Sequence, residues 1–153
     1  MENKIIHYKI KIADEEAIRS HLELCDEGFS PPLSQKVVIR EYAKKIFERA
    51  VTFEAWKNNL VAGLIAAYFS DTASRKAFIT NVSVIKKCLG QGIASELMKM
   101  CIHYAKQNDF DEIALEVGKN NNTAIALYEK FGFSVEGNMG DNLKMKLKIT
   151  NQI

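Results

Sequence analysis

Apolar and polar positions change their period several times along the chain, and each change marks an element. From Ile5 to Ile12, apolar Ile6, Tyr8, Ile10 and Ile12 alternate with less apolar neighbours, the two-residue period of a strand. Asp14 is placed to cap a helix carrying Ala17, Ile18, Leu22 and Cys25 at helical spacings, before Gly28 and Pro31-Pro32 interrupt the pattern. A second helix, capped by Ser34, would set Val38, Tyr42, Ile46 and Phe47 on one face. Between Val51 and Phe69 two apolar runs flank Lys57-Asn58-Asn59, which predicts a hairpin because asparagine tolerates the positive φ of a tight turn. Beyond a polar loop over 70–76, Ala77 to Val84 adds a third antiparallel strand. The helical period returns at Ile93, Leu97, Met100, Cys101 and Tyr104 and runs to about Asn108. A strand over Ile113 to Val117 follows, then a short helix with Ala124, Leu127, Tyr128 and Phe131 that stops at Gly132. Phe133 to Val135 and Leu143 to Ile149 complete a last pair of strands.

This order predicts one mixed α/β domain over residues 1–153, a mostly antiparallel sheet of six to seven strands with about four helices. The segment from Val84 to Val117 reads as a right-handed β-helix-β crossover joining two parallel strands. A chain of 153 residues suits one hydrophobic core, and with 47% hydrophobic residues it can fill one. The 21 basic and 19 acidic residues are interspersed without a Lys/Arg block, which argues against nucleic acid. Cys25, Cys88 and Cys101 lack C-x-x-C spacing and are odd in number, so reduced thiols and no metal are expected. No long apolar segment stands out for a leader or a membrane span, and a cytoplasmic protein is the expectation.

The candidate chemistry begins where Val82-Ser83-Val84 leads to Gly90-Gln91-Gly92-Ile93-Ala94-Ser95. A glycine turn at a helix start offers unpaired amides and partial positive charge, which suits a phosphate. The same glycines would also serve a strand-to-helix turn for conformation alone.

Together with the downstream pattern Asn121-x-x-Ala124-x-x-Leu127-Tyr128-Glu129-Lys130-x-Gly132-Phe133, the segment resembles the GNAT superfamily of acetyl-CoA-dependent N-acetyltransferases. The resemblance runs from about Ala50 to Phe133 and implies a GNAT-like fold with acetyl-CoA as acetyl donor. By position it implies that Val82 and Val84 pair with the pantetheine arm. The pyrophosphate would be held by Leu89, Gly90, Gln91, Gly92, Ile93, Ala94 and Ser95, and Asn121 and Ala124 would also face the cofactor. Tyr128 would then protonate the departing thiolate as a general acid. Leu89 stands where the family usually has Arg or Gln, which leaves more of the phosphate binding to backbone, with Lys86 or Lys87 as substitutes.

Direct transfer needs a neutral amine, and an alkylamine with a pKa near ~10 must first lose a proton. Glu116, Glu54, or Asn81 with a water are the candidates to receive it, each more readily read as an ordinary strand-surface or loop-orienting group. Phe29-Ser30-Pro31-Pro32-Leu33 and Tyr42 occupy the acceptor-side region. The expected acceptor is the primary amine of a small molecule, an amino sugar or sugar nucleotide, with a protein N-terminus or lysine as the alternative. A CoA-binding module without turnover and a generic nucleotide site are the other classes, and the resemblance also allows a homodimer.

Overall fold

The computed structural model describes residues 5–149. Seven strands form one sheet: β1 (His7–Ile10), β2 (Val51–Lys57), β3 (Leu60–Asp71), β4 (Lys76–Val84), β5 (Glu112–Gly118), β6 (Ser134–Met139) and β7 (Asn142–Lys148). Four helices join them: α1 (Glu15–Cys25), α2 (Ile39–Arg49), α3 (Ile93–Gln107) and α4 (Asn122–Lys130). The spatial order is β1-β2-β3-β4-β5-β7-β6, antiparallel throughout except for the parallel pair β4 and β5 that flanks α3. The mixed sheet and the crossover are those expected from the element order.

Local chemistry explains most boundaries. The Asp14 side chain accepts from Ala17 N at 2.8 Å and starts α1. Asn58 and Asn59 hold φ of 52° and 62°, the two left-handed residues that close the β2–β3 hairpin.

Three expectations need correction. The first strand covers His7–Ile10 only, because Lys11 turns to φ 57° and sends the next two amides to the carboxylate of Glu54. Its apolar alternation therefore stays at the edge, with Ile12 62% exposed. Ser34 does not cap the second helix. Its N–H and hydroxyl are both held at 2.7 Å by Asp26, and α2 begins after Val38, which is exposed together with Phe47. The last hairpin is also longer on the β6 side than its apolar residues suggest.

The sheet has two apolar faces. Phe53, Ile65, Ile79 and Ile113 pack against Ile93, Leu97, Met98 and Cys101 of α3. Leu64, Ala66 and Val61 meet Ile18 and Leu22 of α1 and Ala43 and Ile46 of α2 on the other. Each fully buried Leu or Ile contributes about 1.5–3 kcal/mol, so the two layers fix the helices on the sheet. Gly63 of β3 sets how closely: a Cβ there would lie 2.5 Å from Ile93 Cγ2, at the first turn of α3.

Candidate functional site

The parallel pairing of β4 with β5 runs from Lys76↔Glu112 to Ile79↔Leu115 and stops. Among the described residues Thr80 to Val84 of β4 therefore has no strand partner on that side, while β5 stays paired to β7 as far as Gly118. The strands part into an opening at their C-terminal ends, the place where α/β sheets bind ligands.

The free edge of β4 has a defined polarity. Ile85 N–H donates to Ala62 O on β3 at 2.8 Å, so alternation turns the amides of Ser83 and Asn81 toward β3 as well. The peptide groups of Val82 and Val84 consequently face the opening, where they can pair with an extended ligand. Thr80 is the extra residue of a bulge, since Asn81 pairs with Ala66 and Ile79 with Ala67. Tyr42 of α2 pins this bulge by donating to Thr80 O at 2.8 Å, with Thr80 Oγ1 2.7 Å away.

Two helix starts frame the opening. Glu96 N–H is the first in α3 to find an intrahelical carbonyl, Gly92 O, which leaves the amides of Ile93, Ala94 and Ser95 free of helical partners. Gly90 and Gly92 adopt φ of 79° and 75°, and a Cβ on either would meet nothing within 4 Å. Their need for glycine is thus conformational within the chain, and the open space over them is what a phosphate would require. Lys86 and Lys87 are exposed in the preceding turn, and Leu89 is 62% exposed beside it. At the start of α4, Asn121 Oδ1 accepts from Ala124 N at 3.2 Å, which leaves its Nδ2 for another partner.

Tyr128 lies on α4 at 6% exposure against the ring of Phe133, at a centroid distance of 5.9 Å. Burial pushes its phenol up to about 12, so it stays protonated and able to donate. Among the described residues its hydroxyl has no hydrogen-bond partner.

The acid-base candidates separate by environment. Glu54 is fully buried and accepts from Ile12 N, Ala13 N, Thr52 Oγ1 at 2.6 Å and Trp56 Nε1 at 2.9 Å. With its lone pairs occupied it anchors the start of α1 to the sheet, and the expectation that it serves as a base is corrected. Glu116 is exposed on β5, opposite Lys144, and alternates with Ile113, Leu115 and Val117 of the α3 face, so it projects on the α1–α2 face. Asn81 is buried on the same face, 2.7 Å from Ser83 Oγ. No group of His, Cys, Asp and Glu among the described residues is arranged to hold a metal ion. The three cysteines are buried and free, and burial raises the Cys25 and Cys101 thiols to about 11 and 12.

Of the residues expected on the acceptor side, Phe29, Leu33 and Tyr42 join one apolar cluster together with Tyr68. Phe29 packs against both cores, the Ser30–Pro31 bond is cis, and Lys45 Nζ sits 5.4 Å from the ring of Tyr68. Burial pushes the Tyr42 phenol up to about 12, with a smaller contribution from Tyr68, whose own hydroxyl is buried without a hydrogen-bond partner among the described residues. Tyr68 and Gly63 escaped the sequence reading, which gave His21 no role beyond being too far from His7 and His103 for a metal site. Tyr68 follows an apolar run that reads as core, and the contacts of His21 and Gly63 lie 40 or 30 residues away in the chain.

A parallel pair that opens between two helix starts, with free strand amides and a buried tyrosine, can be compared with known proteins. The sequence profile of the acetyltransferase (GNAT) family matches residues 16–133. The chain belongs to this family. N-alpha-acetyltransferase 30 of Saccharomyces cerevisiae is 26% identical over 161 aligned residues, covering 97% of this chain and 91% of that protein. Other curated acetyltransferases match about half of this chain, which spans less than half of their own length. The fold is shared with the ribosomal-protein-S18-alanine N-acetyltransferase of Escherichia coli, at a TM-score of 0.78, 20% identity and coverage of 97% and 96% of the two chains. It is also shared with the PaiA N-acetyltransferase of Thermoplasma acidophilum solved with coenzyme A, at a TM-score of 0.75, 18% identity and coverage of 93% and 99%.

Proposed function

We propose that this GNAT protein transfers the acetyl group of acetyl-CoA directly to the primary amine of a small polar acceptor, an amino sugar or sugar nucleotide. The observation that carries the donor half is the opening between β4 and β5, lined by the free peptide groups of Val82 and Val84. The pantetheine arm pairs with this edge, and the pyrophosphate rests on Gly90–Ser95 with Lys86 or Lys87 at hand. Asn121 and Ala124 at the start of α4 close the other side. Acetyl-CoA supplies the activated thioester, and the Val82 N–H stabilises the charge that develops on its carbonyl oxygen. Tyr128 donates to the departing sulfur. Its raised pKa is not a mismatch, because the same dry surroundings lift a thiolate above its ordinary ~8.5.

The acceptor reaches the thioester from the α1–α2 face. Tyr42, Tyr68 and Phe29 bring there an aromatic surface that suits a sugar ring, and the buried Tyr68 hydroxyl, without a hydrogen-bond partner among the described residues, leaves a polar group unmet beside it. Glu116 is the carboxylate on this face that can receive the amine proton, through water. Lys45 Nζ lies against the Tyr68 ring on this face, and its positive charge disfavours a polyamine. The names of the yeast and E. coli proteins support a second reading, a peptide α-amine.

Thiol release with acetyl-CoA against amino sugars, sugar nucleotides, short peptides and polyamines tests the reading. Turnover of an amino sugar in preference to peptides is expected, and a strict preference for peptide N-termini would replace it with the second.

A further inference from the structure

One buried imidazole lies against the strand that lines the opening and has no part in the chemistry above. His21 of α1 is 0% exposed, with Nδ1 2.7 Å from Val61 O and Nε2 2.8 Å from Ser83 Oγ. Ser83 Oγ is in turn 2.7 Å from Asn81 Oδ1, with the hydroxyl directed at that oxygen, and Cys25 Sγ lies 3.6 Å from Nε2. All these partners are neutral, and they form one chain from β3 through α1 to the bulged end of β4.

The directions of these hydrogen bonds follow from proton counting. A carbonyl only accepts, so Nδ1 must carry a proton for Val61 O. A second proton on Nε2 would leave a cation inside the apolar layer with no carboxylate beside it among the described residues, and burial lowers this imidazole to about 4. Nε2 is therefore bare near neutral pH and accepts the single proton of the Ser83 hydroxyl. Ser83 Oγ can then only accept from Asn81. The orientation of the structure, with Asn81 Oδ1 against Ser83 Oγ, suits a doubly protonated ring, and with the neutral ring the amide makes a half-turn that brings Nδ2 to Ser83 Oγ.

We propose that His21 is a positioning residue for acetyl transfer: its Nδ1–H tautomer directs the Ser83 hydroxyl and turns the Asn81 amide, so that Asn81 Oδ1 is presented at the bulge of β4 to the attacking amine. The proposal rests on the acceptor reaching the α1–α2 face as described above. Thr80 and Asn81 are held from behind by two helices, Tyr42 of α2 on the bulge and His21 of α1 through Ser83. The acceptor-side face of β4 is thus fixed independently of the Val82 and Val84 peptides that face the cofactor. That separation gives the experiment its readout, because disturbing the chain acts on the amine and not on acetyl-CoA.

Long-range nitrogen-proton correlation spectra of the histidine-labelled protein read the tautomer directly and need no acceptor. The expected result is the neutral Nδ1–H form, unchanged from about pH 5.5 to 8. An Nε2–H form, or titration within that range, overturns the proposal whatever the substrate. Kinetically, Ser83→Ala should lower kcat/KM for the amine about tenfold, the effect of one lost hydrogen bond on a rate, while acetyl-CoA affinity by calorimetry is unchanged. Ser83→Thr, which keeps the hydroxyl, should restore it. An unaltered kcat/KM in Ser83→Ala, or an equal loss of acetyl-CoA binding, shows a structural contact only and overturns the positioning role. Absence of turnover in the unmodified protein would instead defeat the proposed function, while the tautomer measurement still decides the state of His21.

Discussion

At the scale of single residues, burial decides what Tyr128 and His21 can do. Tyr128 sits in an apolar layer that holds its proton, the condition for a hydrogen-bond donor to a leaving thiolate. Tyr128→Phe keeps the ring against Phe133, so the packing survives and only the hydroxyl is lost. The expected outcome is a fall in kcat by about 10²–10⁴ with unchanged acetyl-CoA affinity, read by steady-state thiol release and titration calorimetry. Turnover at the original rate would remove the assignment. His21 provides a stability signature. The unfolded chain takes up its proton near 6.5 and the folded chain only near about 4, so between these values the unfolded state binds more protons. The neutral imidazole's contribution is therefore complete above about pH 6.5 and is lost as the pH falls toward 4, on the order of 3 kcal/mol in all. Urea midpoints of the unmodified protein should drop more steeply over that window than those of His21→Gln. Parallel curves would mean that the ring is solvated or partnered by a charge.

At the scale of elements, the question is which carboxylate holds structure and which takes part in turnover. Glu54 ties the chain entering α1 to β2 with two amides, a threonine and a tryptophan, while Glu116 stands exposed on β5. Glu54→Gln replaces one acceptor oxygen by a donor and should cost about 1–3 kcal/mol of stability with kcat retained at low temperature. Glu116→Gln should leave the melting temperature unchanged and lower kcat/KM for the amine. The reverse pairing, seen by thermal melts and thiol release, would exchange their roles. Gly63 carries a comparable argument, because Gly63→Ala must push back Ile93 and the first turn of α3, at a cost of about 1–3 kcal/mol.

These element-scale roles show what could be read from the chain. The hairpin at Asn58-Asn59, the crossover helix after Gly92 and the Asp14 cap are local, since a turn or cap depends on residues a few positions apart. Glu54 and His21 carry the same letters whether they are catalytic or structural, and only their partners, about 40 residues distant, decide between the two. Val38, Phe47 and Ile12 misled because an apolar side chain at the right spacing still needs a facing layer. Near α2 and the β1 edge that layer ends.

At the scale of the whole molecule, the opening exists because parallel pairing stops after Ile79↔Leu115 while both strands continue, so the surrounding layers must hold them apart. A ligand lying along β4 from the start of α3 to the start of α4 would tie together elements separated by the length of the crossover, and its binding should therefore stabilise the fold as a unit. With acetyl-CoA at about 100 times its dissociation constant, linkage predicts about 2.7 kcal/mol of added stability, a rise in melting temperature of roughly 5–10 °C for a domain of this size. Gly92→Val separates the two reasons for glycine at the helix start. A β-branched residue at φ 75° is strained, so the unliganded melting temperature falls, and its side chain fills the space over the free amides, so the acetyl-CoA increment also disappears. A lower starting temperature with the full increment retained would place the pyrophosphate elsewhere. ATP and NAD in the same melts separate cofactor recognition from simple attraction of anions to a helix start: only acetyl-CoA has an arm to lie along Val82 and Val84, and equal shifts with all three would remove the strand from the site.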